Sequence, residues 1–283
     1  ANSVIQVHEE AQFDSDNLNL LSGTSTFYFP DTNFAMQRIL TAGSQSLDFH
    51  NVYFEPFQKG LSRIQNAGTS RHTFNHVHIY NDGIINGENT FDSLTFAAGN
   101  TYELHHSKIQ IINDYWFIRG NNCFAITLRS TLKDTEAFVS KSGGMVEGDF
   151  INMRDVHAIG GAKFYAGNYS SNISNNKGWI FKNGPQYVFG LGNITSFQLG
   201  SSTTLHTTNF NGGPLTTYQW STGSTADTIV VNQTGWYYVT VTYAGGCVLV
   251  DSILVKCALN VSNKITHVRC FGDSTGGIQI FIP

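Results

Sequence analysis

At 283 residues the chain is long enough to bury a large core and to hold two or three domains. Charged residues make up 13% and the formal net charge is -4, which removes any electrostatic reason to expect nucleic acid or an anionic membrane as partner. Gly, Asn, Ser and Thr are plentiful while the usual helix-filling residues are not, so the composition points to an all-β protein.

No apolar run approaches the roughly 18 residues that a membrane helix requires, and the chain is expected to be soluble and not membrane-spanning. It opens without a basic segment followed by an apolar one, as expected if an export signal has been removed or was never included. Its cysteines, Cys123, Cys247, Cys257 and Cys270, lack the CxxC spacing of a zinc ribbon or a thioredoxin-like site.

Strand-like pieces begin at Val4-Ile5-Gln6-Val7 and Thr26-Phe27-Tyr28-Phe29, and are expected to form the first rungs or a cap. A short motif then recurs: Phe49-His50-Asn51-Val52-Tyr53-Phe54, Phe74-Asn75-His76-Val77-His78-Ile79 and Phe91-Asp92-Ser93-Leu94-Thr95-Phe96. Cys123-Phe124-Ala125-Ile126-Thr127-Leu128 reads as a weaker fourth copy. Recurrence at roughly 17 to 32 residues, with Gly, Asn and Asp between copies, suits a coil of short strands in which each turn covers the next. The last two apolar positions of each copy are two apart and share a face. The leading Phe has opposite parity and must lie across a bend or bulge.

Further strands are expected at Tyr102-Glu103-Leu104, Ile109 to Ile112, Tyr115 to Ile118 and Phe150 to Met153, and Gly178-Trp179-Ile180-Phe181 places a bulky aromatic where it can plug the last rung. After Asn183-Gly184-Pro185 the cadence changes to closely spaced strands with Gly-containing turns, which suits a small β-sandwich. The expected architecture is a right-handed parallel β-helix over residues 1–183, an Ig-like or PKD-like β-sandwich over 184–257, and an incomplete third β domain over 258–283.

Several residues invite chemistry. His76 and His78 have the i,i+2 spacing that can chelate a metal from one face of a strand, although His76 occupies the position of Asn51 in the earlier copy and a stacked polar ladder explains it equally well. No cofactor is expected, but structural calcium has two places to sit, the turns Asp14-Ser15-Asp16-Asn17 and Asn81-Asp82-Gly83. Tyr165, Tyr169 and Tyr187 lie in loop-like sequence and are candidates to stack on sugar rings. For a polysaccharide-cleaving enzyme the candidates are Asp82, Glu88, Asp92, Glu103, Asp114 and Arg119, which fall at different places in the repeat without convergence.

Segments in this order resemble the large surface proteins that Bacteroidota export through the type IX secretion system. GTSTFYFPDTNFAMQRILTAGSQSLDFHNVYFE (Gly23 to Glu55) is similar to their β-helical repeats, and Gly99 to Thr131 and Asp155 to Phe181 resemble the later rungs of the same region. Leu191 to Cys247 is similar to the Ig-like modules that follow, and HVRCFGDSTGGIQI (His267 to Ile280) resembles the opening of a repeat in gliding-motility adhesins of the SprB type.

The resemblance implies an exported, surface-displayed and non-catalytic adhesin segment at the outer-membrane face, with a glycan or other surface ligand. Secretion components or an outer-membrane lipoprotein are further partners; the alternative is a polysaccharide-active β-helix enzyme or carbohydrate-binding module. It also implies O-glycosylation where Asp-Ser/Thr-apolar triplets occur, at Ser93, Thr228, Ser252 and Ser274. Related Ig-like modules often carry a cysteine where this chain has Phe197-Gln198-Leu199, so the usual partner of Cys247 is missing. Cys247 and Cys257 either pair across a hairpin or stay apart, and Cys270 is expected to seek a cysteine beyond residue 283.

Overall fold

A computed structural model describes residues 3–13, 23–30, 37–43, 46–55, 60–66, 68–182, 191, 194–207, 215–243, 246–258, 262–267, 272, 274 and 276–281. Among them every regular element is a strand, and the chain divides into two compact units. One comprises Ala1–Tyr187 with Asn211–Gly213, the other Val188–Phe210 with Pro214–Pro283.

The first unit is a β-solenoid of about 7 turns. The winding chain lays strands alternately into an 11-stranded and an 8-stranded sheet, and neighbours within each sheet are parallel. Parallel pairing in register puts equivalent residues one above another. Phe27, Val52, Val77, Leu94 and Trp116 form one inward column, and Phe29, Phe54, Ile79, Phe96 and Ile118 form its neighbour two positions along. All ten are buried. From the opposite sheet Leu40, Ile64, Ile85 and Leu104 close the same core. Rings stack within and between columns, at 5.0 Å for Phe49 and Phe74, 5.2 Å for Phe74 and Phe91, and 3.8 Å for Phe96 and Tyr102. Each such pair adds about 0.5–1.5 kcal/mol beyond the area it buries.

The parity of the motif has its expected cause. Phe49, Phe74, Phe91 and Ile112 form a third inward column, and between it and the other two the pairing is interrupted at His50, Asn75 and Asp92, where the chain turns a corner. Polar side chains ladder along that corner: Asn75 Nδ2 lies 3.1 Å from His50 Nε2, and Asn113 Nδ2 donates to Asp92 Oδ1 at 2.8 Å. The fourth copy of the motif is not at Cys123 to Leu128. Ile126–Ser130 belongs to the 8-stranded sheet, whereas the true fourth copy runs from Ile112 to Ile118 and carries a bulge between Ile112 and Tyr115 that lengthens its spacing.

That bulge marks where the coil widens. Beyond it the single long strand Ile109–Arg119 is met by two shorter ones, Ala137–Lys141 and Met145–Asp149, and these are followed by Val156–Gly160 and Lys163–Tyr165. Lys141 is buried at the divergence, and its Nζ donates to the carbonyls of Asn113 at 2.8 Å and Asp114 at 2.6 Å, the two residues that the bulge leaves without ladder partners. Gly160 has φ +97, and a Cβ there would stand 2.2 Å from the Lys141 carbonyl oxygen, so the neighbouring turn closes on this point only with glycine. Trp179, in the last rung, packs edge-on against Trp116 at 6.0 Å and Phe164 at 5.3 Å, and covers that end of the core as its position suggests.

A second polar ladder is fully internal. His72, Asn89 and Gln110 stand in register and are buried. The Leu47 N–H donates to His72 Nδ1 at 3.1 Å, Asn89 Nδ2 to Gln110 Oε1 at 3.0 Å, and Gln110 Nε2 to the Gly87 carbonyl at 2.7 Å. Burial holds the His72 pKa below its ordinary 6.5; the Gly43 backbone opposes this, although Nε2 has no partner of hydrogen-bond geometry.

In the second unit Ile194–Gln198, Val248–Ala258, Gly235–Tyr243 and Leu215–Trp220 form a four-stranded sheet in that order, with the first pair parallel and the others antiparallel. Thr203–His206 pairs antiparallel with Thr228–Val231, and Ser262–Thr266 with Gly277–Phe281. Trp220, Val239, Val241, Ile253 and Val255 are buried from the larger sheet, Leu205, Ile229 and Val231 from the smaller. Ile194–Gln198 and Thr203–His206 are separated by a turn in which Gly200 takes φ +80. Cys257 is a free thiol while Cys247 and Cys123 are each disulfide-bonded, so the Cys247–Cys257 hairpin pairing is excluded; Cys270 lies outside the described residues.

Replacing Lys141 with Met removes the charged donor that holds the Asn113 and Asp114 carbonyls at the bulge and is expected to cost about 1.5–3 kcal/mol, read as a fall in the urea midpoint by circular dichroism. An unchanged midpoint would show that the corner closes without the ammonium. His72 gives a signed pH dependence. Its folded pKa lies below the unfolded one, so its contribution is complete above about pH 6.5 and declines as pH falls toward the depressed value, because the unfolded chain takes up the proton first. Between pH 7.5 and 5.5 the wild type should therefore lose more thermal stability than His72→Gln; equal losses would refute the assignment.

Candidate functional site

Residues that alternate with the inward columns point outward, so the outer side of the 11-stranded sheet is also organised in columns. One contains Gln6, Tyr28, Tyr53, His78, Thr95 and Phe117, and by the same register continues to Glu147 and Tyr165. The column beside it contains Thr26, Asn51, His76, Ser93 and Tyr115. The first is mainly aromatic and the second mainly polar.

The rings are packed against one another. Tyr53 and His78 have centroids 4.7 Å apart with planes at 40°, and Tyr80 is 6.0 Å further along from His78. His78 Nδ1 lies 3.4 Å from the Tyr80 hydroxyl. Burial, then the neighbouring His76, hold the His78 pKa below 6.5, so the imidazole is neutral at physiological pH. Burial, with Glu55 and Tyr53 adding to it, raises the Tyr80 pKa, which keeps the phenol protonated. In the polar column Asn51 Nδ2 donates to Thr26 Oγ1 at 3.3 Å. At the first turns Val4, Gln6, Thr26, Tyr28, Tyr53 and Glu55 line an open depression of about 480 Å³.

The metal candidates His76 and His78 do share this outward face, and His76 stands in register with Asn51 and Ser93, the ladder position anticipated for it. Among the described residues no group of three or more His, Cys, Asp or Glu side chains is placed to hold an ion. His72 faces the interior, and His105 Nδ1 accepts from the Gly87 N–H at 2.8 Å at a corner of the other sheet. Of the calcium candidates, Asp14 to Asn17 lie outside the described residues. In the other turn Asn81 Nδ2 donates to the Glu55 carbonyl at 3.0 Å and Asp82 Oδ1 accepts from the Thr101 N–H at 2.7 Å, so both side chains tie one turn of the coil to the next.

The candidate sugar-binding tyrosines are dispersed. Tyr165 belongs to the outward column, while Tyr169 is 66% exposed in the following turn and stacks on Phe150 at 4.8 Å; Tyr187 lies outside the described residues. Ser93 is half-buried in the polar column, Thr228 lies on a strand with its hydroxyl 3.4 Å from His206 Nδ1, Ser252 stands opposite Tyr238, and Ser274 is exposed. Of the acid–base candidates, Glu88 pairs with Arg71 at 2.9 Å, Glu103 with Arg129 at 2.6 Å, Arg119 with Glu147 at 3.2 Å and Asp92 with Asn113, while Asp114 is exposed at the bulge.

Tyr28 and Tyr53 are not among the candidates drawn from the sequence, because the apolar positions flanking them dominate the pattern. The signal was present: in Thr26 to Phe29 and Asn51 to Phe54, the residue between two inward apolar side chains has to face out. Comparisons of this chain with protein-family models, curated proteins and solved structures find no match.

Proposed function

We propose that this chain is part of an exported surface adhesin of the kind that Bacteroidota deliver through type IX secretion, and that it works by binding without catalysis. The coil is read as right-handed, since crossovers between parallel strands take that hand in about 98% of cases. The second unit is read as an Ig-like module, on the strength of two small sheets that each bury one apolar face, and the Ser262–Thr266 and Gly277–Phe281 pair as the start of a further repeat. The proposed location is the outer-membrane face of the cell.

One observation carries the binding reading. The outward face repeats an aromatic and a polar position turn after turn, whereas the pairs Arg71–Glu88, Arg129–Glu103 and Arg119–Glu147 lie apart along the coil, and Glu136, which meets both Lys177 and His157, is held by them as an ion-paired carboxylate. Repetition of moderate contacts on a stiff scaffold gains strength through multivalency, with no need for a deep pocket. Catalysis would call for an acid and a base converging on one point.

The full chain, incubated with a panel of soluble polysaccharides, is expected to be retained by at least one of them, to keep that attachment in high salt, and to release no reducing ends. Release of reducing ends would replace this reading with that of a polysaccharide-active enzyme. Failure to bind any glycan or cell surface would remove the adhesin reading altogether.

A further inference from the structure

The outward face invites a more specific statement, which rests on the glycan-binding reading above. The geometry points to a linear, uncharged polysaccharide lying lengthwise along the column Tyr28, Tyr53 and His78, with one sugar unit seated in the depression lined by Gln6, Tyr28, Tyr53 and Glu55.

Spacing is the first support. Successive turns stand about 4.8 Å apart, so the column offers one ring per rung over a distance comparable to a pyranose unit. Tyr53, His78 and Tyr80 are half-buried against each other at 4.7 and 6.0 Å, and ordering them for a ligand therefore costs little additional side-chain entropy. The C–H face of a sugar packs on such rings. Its hydroxyls, directed sideways, meet Thr26, Asn51, His76 and Ser93 of the adjoining column, which together provide donors and acceptors of both kinds.

Charge selects among polymers. From Thr26 to Phe117 neither column contains Asp, Glu, Lys or Arg, and His78 is neutral at physiological pH. The carboxylates at the margin, Glu55 beside Tyr80 and Asp92 beside Ser93, would repel uronates or sulfates, whereas the guanidinium of Arg119, two residues beyond Phe117, is committed to Glu147 and to the Phe117 ring. Glu55 can instead accept hydrogen bonds from neutral sugar hydroxyls. An extended peptide is a poorer occupant, because strand addition requires unpaired backbone groups and those on this face already pair with the turns on either side.

The test is affinity electrophoresis of the full chain in gels containing hydroxyethylcellulose, mixed-linkage β-glucan or galactomannan, beside gels containing alginate, polygalacturonate or chitosan. At least one neutral polymer should retard the wild type. Tyr53→Ala should weaken that binding by about tenfold while Tyr53→Phe retains it, and Leu132→Ala, at an exposed position away from the column, should have no effect. Thr95→Tyr fills the gap between His78 and Phe117 and should strengthen retention, a gain that misfolding could not mimic. Retardation confined to charged polymers, or retardation by a neutral polymer that survives Tyr53→Ala, would overturn this placement and leave the adhesin reading standing. Absence of retardation by every polymer would count against both.

Discussion

The parallel hydrogen-bonded ladder between successive turns is the constraint from which the rest of the coil follows. Because each strand pairs in register with the turn before and the turn after, a side chain is set directly above its counterpart, and alternate residues are committed to opposite sides. Inside, most columns are apolar and are filled by Phe, Val, Leu, Ile and Trp, while the one polar column, His72, Asn89 and Gln110, is held by hydrogen bonds. Outside, the same rule repeats whatever chemistry the sequence supplies. A surface with a regular array of rings and hydroxyls is thus a by-product of how the interior is held together.

Corners are where the ladder has to be broken, and there polar side chains take over from the backbone. His50, Asn75, Asp92 and Asn113 do so at the bend next to the motif, while Asn89 and Gln110 do so inside. Lys141 is the extreme case, a buried ammonium held by two backbone carbonyls at the point where one long strand gives way to two. Such burial is tolerable only because the ammonium finds carbonyl acceptors on the spot. The corner and the bulge are one structure, since the carbonyls that the bulge releases are those the lysine binds.

Much of this was legible in the amino-acid sequence. The three copies at Phe49, Phe74 and Phe91 lie in consecutive turns in mutual register, and the odd parity of their leading Phe reports a real bend. What failed was the fourth copy, because the bulge stretches the spacing between Ile112 and Trp116 and a better-looking string occurs by chance in the opposite sheet. The outward columns were hidden for a different reason. Periodicity identifies which residues turn inward, but it says nothing of which outward residues from distant parts of the chain come into line, as Tyr28, Tyr53 and His78 do. That alignment depends on register between turns, which the pattern within a single turn does not contain.

The loops themselves vary widely. Residues stacked one turn apart are separated by 17 positions between Val77 and Leu94, but by 30 between Ile118 and Gly148. Since the rise per turn is set by the spacing of paired strands, extra residues bulge sideways and leave the axial graduation unchanged. The coil consequently works as a ruler: its margins can be remodelled by insertion or deletion at the corners while the marks along its length stay evenly ruled.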